Sequence, residues 1–190
     1  MSNLYSRRFK LKFVIAILRS IVIKARHGHR ISFDIFRKFF FGPGFRLEIM
    51  GEGRLRIQGK KDRVYFDRDV TVVCSQGLIE IGSGTFFNAY CRLTSHTRIS
   101  IGQNCLFGPN VSVYDSDHRA VPGVLIREQG YEKSAVEISD NCWIGTNAVI
   151  LRGSSVGAGT VVGANSVVRG HVEGSRIYAG VPARLIQEIA

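Results

Sequence analysis

The stretch VEISDNCWIGTNAVILRGSSVGAGTVVGANSVV, residues 136–168, decides the fold. An aliphatic residue recurs at every sixth position: Ile138, Ile144, Ile150, Val156, Val162 and Val168. Glycine follows directly at 145, 157 and 163, and a small residue stands four positions on, at Cys142, Ala148, Ser154, Thr160 and Ser166. A period of six with this much glycine fits no 3.6-residue helical pattern. A short fixed period is the mark of a coiled β solenoid. Each hexad supplies one short strand and one tight turn, with the aliphatic pointing inward, the small residue beside it and glycine easing the corner. Stacked coils bury a continuous apolar column that no single repeat could bury alone.

Upstream, the same register holds for Ile101, Phe107 and Val113, with Cys105 and Val111 at the small position. A shifted register covers Ile81, Phe87, Leu93 and Ile99, with Thr85, Cys91 and Thr97. Short β-rich segments (RLRIQG, RVYFD, VTVVC, LIEIG) lead into it from about residue 54. Between Val113 and Ile138 the beat is lost for 25 residues, one more than four hexads. A solenoid tolerates an insertion where a loop leaves a corner, and loops on rigid scaffolds carry function. The excursion, residues 114–137, opens with Asp115, Asp117 and His118.

Residues 1–53 differ in character. The first 63 residues hold 16 Lys/Arg against 4 Asp/Glu, and eight of the twelve phenylalanines fall within the first 45. Residues 8–26, RFKLKFVIAILRSIVIKAR, read as a helix in which Arg8, Lys12, Arg19 and Arg26 form one cationic stripe. Leu11, Val14, Ile15, Ile17, Leu18, Ile21 and Val22 cover most of the rest. The run is too interrupted to span a bilayer, and a basic helix with a wide apolar face suits a membrane interface. The same face could instead pack on the body or on another subunit. The Phe-rich stretch SFDIFRKFFFGPGF, residues 32–45, leans toward a lipid or partner surface. No nucleic-acid motif accompanies the charge, so nucleic acid is not expected as a partner. The N-terminal run is broken by Arg19 and lacks a small-residue cleavage site, so no secretory signal is expected. The four cysteines form no CxxC pair, which suggests neither a zinc ribbon nor a redox dithiol. Free thiols in a reducing compartment are expected. The chain thus divides into an arm, 1–53, and an all-β solenoid, 54–190.

The segments ISIGQNCLFGPNVSVYDSDH, the hexad run from Val136 and IYAGVPARLIQEI together resemble the hexapeptide-repeat acyltransferases. The likeness covers about residues 64–190 and is closest to the galactoside, maltose and nodulation-factor O-acetyltransferases and to antibiotic acetyltransferases of the same fold. The resemblance implies a left-handed parallel β-helix, a homotrimer, and active sites in clefts between subunits. It implies acetyl transfer from acetyl-coenzyme A to a hydroxyl, with His118 as general base and no metal. A histidine near its ordinary pKa can take the hydroxyl proton, contributing about 10²–10⁴-fold. Asp115 and Asp117 are candidates to orient His118. Asn88 matches an acceptor-contacting asparagine of the galactoside branch, and His96 stands where sugar acetyltransferases tend to carry an acidic acceptor residue, a departure that leaves the acceptor class open. Trp143, Gly145, Thr146 and Ala164 match positions along the coenzyme arm, and Arg169 and Arg184 suit its phosphates.

The expected acceptor is a saccharide of a surface glycan, reached by a cytoplasmic enzyme peripheral at the inner face of the membrane. An antibiotic acetyltransferase and a non-enzymatic trimeric scaffold are the other readings. A metal-dependent solenoid enzyme would need three spaced histidine ligands, and His96, His118 and His171 do not fit.

Overall fold

The protein, seen in a computed structural model, is described over residues 2–33, 39–58 and 62–189, residues 2–13 and 39 by backbone alone. Residues 34–38 of the Phe-rich stretch and the side chains of Arg8, Leu11 and Lys12 lie outside the described residues. The solenoid is a parallel β-helix whose coils stack three sheets into a prism. We call its faces A, B and C. Among the described residues they hold seven, eight and six strands.

The hexads do what their spacing predicts. Ile101 stacks between Ile81 and Ile138, Phe107 between Phe87 and Ile144, and Val113 between Leu93 and Ile150. The shifted register upstream is a corner two residues longer, at His96 and Thr97, inside an otherwise continuous stack. At the centre of the column Phe66, Phe87 and Phe107 are buried and stacked at 5.0 and 4.5 Å.

Two features of the corners lie beyond the hexad reading. Three positions after Ile101, Phe107, Ile138, Ile144 and Val162 stands an asparagine, at 104, 110, 141, 147 and 165, with φ between 56° and 58°. Asparagine enters this left-handed region at low cost, so it turns the chain where glycine would otherwise be needed. The small residues are also hydrogen-bond donors. Thr85, Cys91, Cys105, Cys142, Ser154 and Thr160 each donate to a carbonyl of the following coil, at 2.9–3.2 Å.

The solenoid starts earlier than residue 54. Strands Ile31–Ser32, Phe39–Phe41 and Arg46–Met50 pair in parallel with Arg54–Ile57, Val64–Phe66 and Thr71–Ser75 and form the first coil. Its long corners place Ile31 beside Leu55 and Leu55 beside Ile79, so no six-residue beat marks it. Helix α1, Ser2–His27, lies against this coil. It buries Ala16 and Ser20, while Arg19 Nη1 donates to the Phe41 carbonyl at 3.1 Å and Lys24 Nζ to that of Ile31 at 2.6 Å. Arg19 therefore docks on the body and leaves the expected cationic stripe. Val14, Ile15, Ile17, Leu18, Ile21 and Val22 face outward, 39–63 % exposed. Among the described residues no helix is long and apolar enough to cross a membrane. At the far end strand Arg184–Glu188 folds back antiparallel onto Arg176–Ala179.

Candidate active site

The excursion leaves the edge between faces C and A, after strand Ser112–Tyr114, as a two-stranded antiparallel ribbon. Strand Ser116–His118 pairs with Tyr131–Lys133, matching Ser116 to Lys133, Asp117 to Glu132 and His118 to Tyr131. A ribbon this short is marginal alone. The solenoid fastens its root, since Ser134 N donates to the Asp115 carbonyl at 2.9 Å and Gly153 N to that of Ser134 at 3.1 Å.

Asp115 is fully buried. Its carboxylate accepts from Ser95 Oγ and from the backbone amides of His96 and Thr97, at 2.7, 2.7 and 2.8 Å. These bonds hold the enlarged corner of the coil below. Asp117 Oδ2 accepts from Arg152 Nε at 2.6 Å. Both carboxylates thus act on the scaffold around His118, and their hydrogen bonds do not run to its ring.

His118 is exposed, with its ring centroid 4.4 Å from that of Tyr131. On the same tyrosine, 4.5 Å away, lies the half-buried ring of His96. Burial lowers the His96 pKa; the Asp115 charge opposes this, while Lys133 and His118 add to it. The structure therefore gathers His96, Asp115, Asp117 and His118 on the C–A edge, and adds Tyr131 and Arg152, which the sequence reading missed. Neither carries a sequence signal: each reaches its partner across the excursion.

Asn88 lies elsewhere, at the B–C edge, where its side-chain oxygen accepts from Ala89 N at 2.8 Å. The left-handed residue of that corner is Tyr90, φ 65°. Trp143 stands outward on face B, 55 % exposed, in register between Leu106 and Val161. Gly145 and Thr146 follow at the B–C edge, with Ala164 one coil on. Gly145 packs so closely that a Cβ there would come within 2.6 Å of Ala164 N. Arg184 opens the terminal antiparallel strand opposite Ala179, whose Cβ lies close to Gly163 on the same edge. Arg169 is exposed at the C–A edge, on the His118 side. Within one chain, the base candidate and most coenzyme candidates occupy different edges of the prism. Among the described residues no group of three His, Cys, Asp or Glu could hold a metal ion.

Compared with known proteins, the chain is 30 % identical over 165 residues to the putative lipopolysaccharide biosynthesis O-acetyl transferase WbbJ of Escherichia coli K12, covering 83 % of this chain and 72 % of that one. The chain belongs to the hexapeptide-repeat acyltransferases. Within this family it is an acetyl-coenzyme A-dependent O-acetyltransferase. Residues 135–170 match the family description "Bacterial transferase hexapeptide (six repeats)", and residues 98–128 match "Hexapeptide repeat of succinyl-transferase". The galactoside O-acetyltransferase of E. coli is 32 % identical over 111 residues, 58 % of this chain and 54 % of that one. The chain thus spans about half the length of the galactoside relatives it matches. Among solved structures, the hexapeptide-repeat acetyltransferase of Vibrio cholerae complexed with acetyl-coenzyme A matches with a TM-score of 0.61 and 27 % identity, covering 81 % of this chain and 69 % of that one.

Proposed function

We propose that this acetyltransferase modifies a hydroxyl of a saccharide, with His118 as the general base. The observation that carries the reading is the exposed His118 on a ribbon fastened to a rigid solenoid, packed with the rings of Tyr131 and His96. A hydroxyl is a poor nucleophile near neutral pH. The neutral imidazole accepts its proton as the oxygen attacks the thioester carbonyl, and the departing thiolate takes that proton up, so no covalent acyl-enzyme is required. His118, Tyr131 and His96 pack together as one aromatic surface beside which a sugar can be held. A saccharide acceptor is also what the names of the relatives suggest, one from lipopolysaccharide biosynthesis and one a galactoside enzyme.

Trp143, Gly145, Thr146, Ala164 and Arg184 bind the coenzyme along the B–C edge, with Asn88 reaching the acceptor from the same edge. Arg169, on the His118 edge, meets coenzyme phosphate from the other side. Two copies must then meet to complete one site, which supports a homotrimer. Face B supports it further. Its outward residues Tyr65, Phe86, Leu106, Trp143, Val161 and Ile177 stand in register as one apolar ladder along the coils. Face A is polar instead, as in the Arg56–Glu80–Arg98 ion-pair ladder. The outward aliphatic stripe of α1, in a segment rich in Lys and Arg, supports a cytoplasmic enzyme at the inner membrane face acting on a lipid-linked glycan.

Thiol release from acetyl-coenzyme A, measured with wild type and His118→Ala against free and lipid-linked sugars, tests the reading. Acceptor-dependent release that the substitution abolishes is expected; release that survives it removes His118 from the mechanism. Turnover of antibiotics but of no sugar would move the acceptor to that class. Light scattering that gives a monomer would remove the shared site. Equal sedimentation with anionic vesicles by the whole chain and by one carrying Leu18→Ser and Ile21→Ser would remove the membrane role.

A further inference from the structure

Arg152 bridges both strands of the excursion ribbon from outside it. It follows the fifth coil's strand Val149–Ile150 at the C–A edge. Its side chain is 25 % exposed. Nε donates to Asp117 Oδ2 at 2.6 Å, and Nη2 donates to Glu132 Oε2. Asp117 and Glu132 are cross-strand partners, and the next pair outward is His118 and Tyr131.

We infer that Arg152 is a positioning residue for the transfer, holding His118 in place by fixing the register of the ribbon that carries it. The inference rests on the reading of His118 as the base. A ribbon of three residues a side has little to specify its register, and a slip of one residue turns every side chain to the opposite face. Such a slip would carry the His118 ring off Tyr131 and away from the edge where the acceptor is read. One planar guanidinium with two prongs on opposing strands blocks that slip. A lysine at this position is a point charge and engages one carboxylate at a time. The stacked coils do not depend on the contact, because it touches only the ribbon. Its loss therefore falls on turnover, while the fold and the binding of acetyl-coenzyme A at the other edge are kept. Displacement of a reacting group by about 1 Å can cost on the order of a hundredfold in rate.

The test compares wild type with Arg152→Met, Arg152→Lys, Asp117→Asn with Arg152→Met, and His118→Ala. In the imidazole NMR spectrum, which needs no acceptor, the His118 signals are expected to be single in wild type and doubled or broadened in Arg152→Met. With the sugar that gives His118-dependent turnover, Arg152→Met is expected to lower kcat by roughly ten- to a hundredfold. KM for acetyl-coenzyme A and the melting temperature should hold, and Arg152→Lys should recover part of the rate. The combination with Asp117→Asn should be no slower than Arg152→Met alone, because both remove the same contact. Unchanged His118 signals in Arg152→Met would overturn the inference, as would a kcat within twofold of wild type or a fall in kcat matched by a fall in the folded fraction. If His118→Ala keeps full activity, the reading of the base fails first. If it is inactive while Arg152→Met is not, the inference about Arg152 fails alone.

Discussion

Replacing Asp115 by alanine removes a fully buried acceptor of three hydrogen bonds. The donors are Ser95 Oγ, His96 N and Thr97 N, at 2.7, 2.7 and 2.8 Å, and both Asp115 and Ser95 are fully buried. An orphaned buried donor costs about 1–3 kcal/mol. Ser95 keeps a long bond to the Leu78 carbonyl at 3.4 Å, and the exposed Thr97 can turn its amide to water, so the donors do not all count in full. The expected loss is about 3–5 kcal/mol, a shift in urea midpoint of about 2 M at a typical slope of about 2 kcal/mol per molar. Asparagine should do better. Its amide can donate to Ser95 Oγ from the Oδ2 position while its oxygen still accepts from His96, leaving Thr97 N, and the cost falls to about 1–2 kcal/mol. Urea unfolding followed by circular dichroism measures both variants. Turnover should fall more than stability in each, because the same carboxylate holds the corner beneath His96 and the root of the ribbon. An alanine variant within about 1 kcal/mol of wild type, or an asparagine variant less stable than the alanine one, would refute the reasoning.

Other outcomes follow from the same geometry. His96, its pKa lowered by burial from the ordinary 6.5, should titrate by NMR below that value. The unfolded chain then binds the proton first as pH falls. The stability contributed by neutral His96 is complete above about pH 6.5 and lost as pH falls through the lower folded value, and a midpoint at or above 6.5 would refute this. Burial pushes the Cys74 and Cys91 thiols up to about 12. Cys105 and Cys142 are as deeply buried, so none of the four should react with iodoacetamide at pH 8 until urea is added; labelling of the native protein would count against the packed interior. Gly145→Ala drives a methyl against the Ala164 backbone, 2.6 Å from its nitrogen, and should cost about 1–3 kcal/mol by thermal unfolding. An unchanged melting temperature would show that the edge can yield.

The column from Ile81 onward was legible because each inward residue announces its neighbour six positions away. The first coil was hidden by its long corners: Phe41 and Phe66 pair as their successors do, but 25 residues apart. The donor role of Thr85 or Cys142 was invisible for another reason. Size predicts that they fit, whereas the carbonyl they reach belongs to another coil. Left-handed asparagines could have been found, since Asn104, Asn110, Asn141, Asn147 and Asn165 share one offset from the inward residue. In the site, His118 stood out because the beat stops beside it, and its proposed role as base came from the family resemblance. Asp115 was named for the wrong contact, its partners lying 18–20 residues back, and Arg152 reaches partners 20 and 35 residues away. No local pattern encodes such distances.

The two ends of the stack are unlike its middle. Helix α1 lies against the first coil, and strand Arg184–Glu188 folds over the last of face B. A solenoid whose terminal rungs were bare would offer each end as a template for the other end of a second molecule, and a head-to-tail contact with no closing rotation grows without limit. These two segments act as stoppers. They make a finite particle of a structure whose geometry would otherwise favour a fibre.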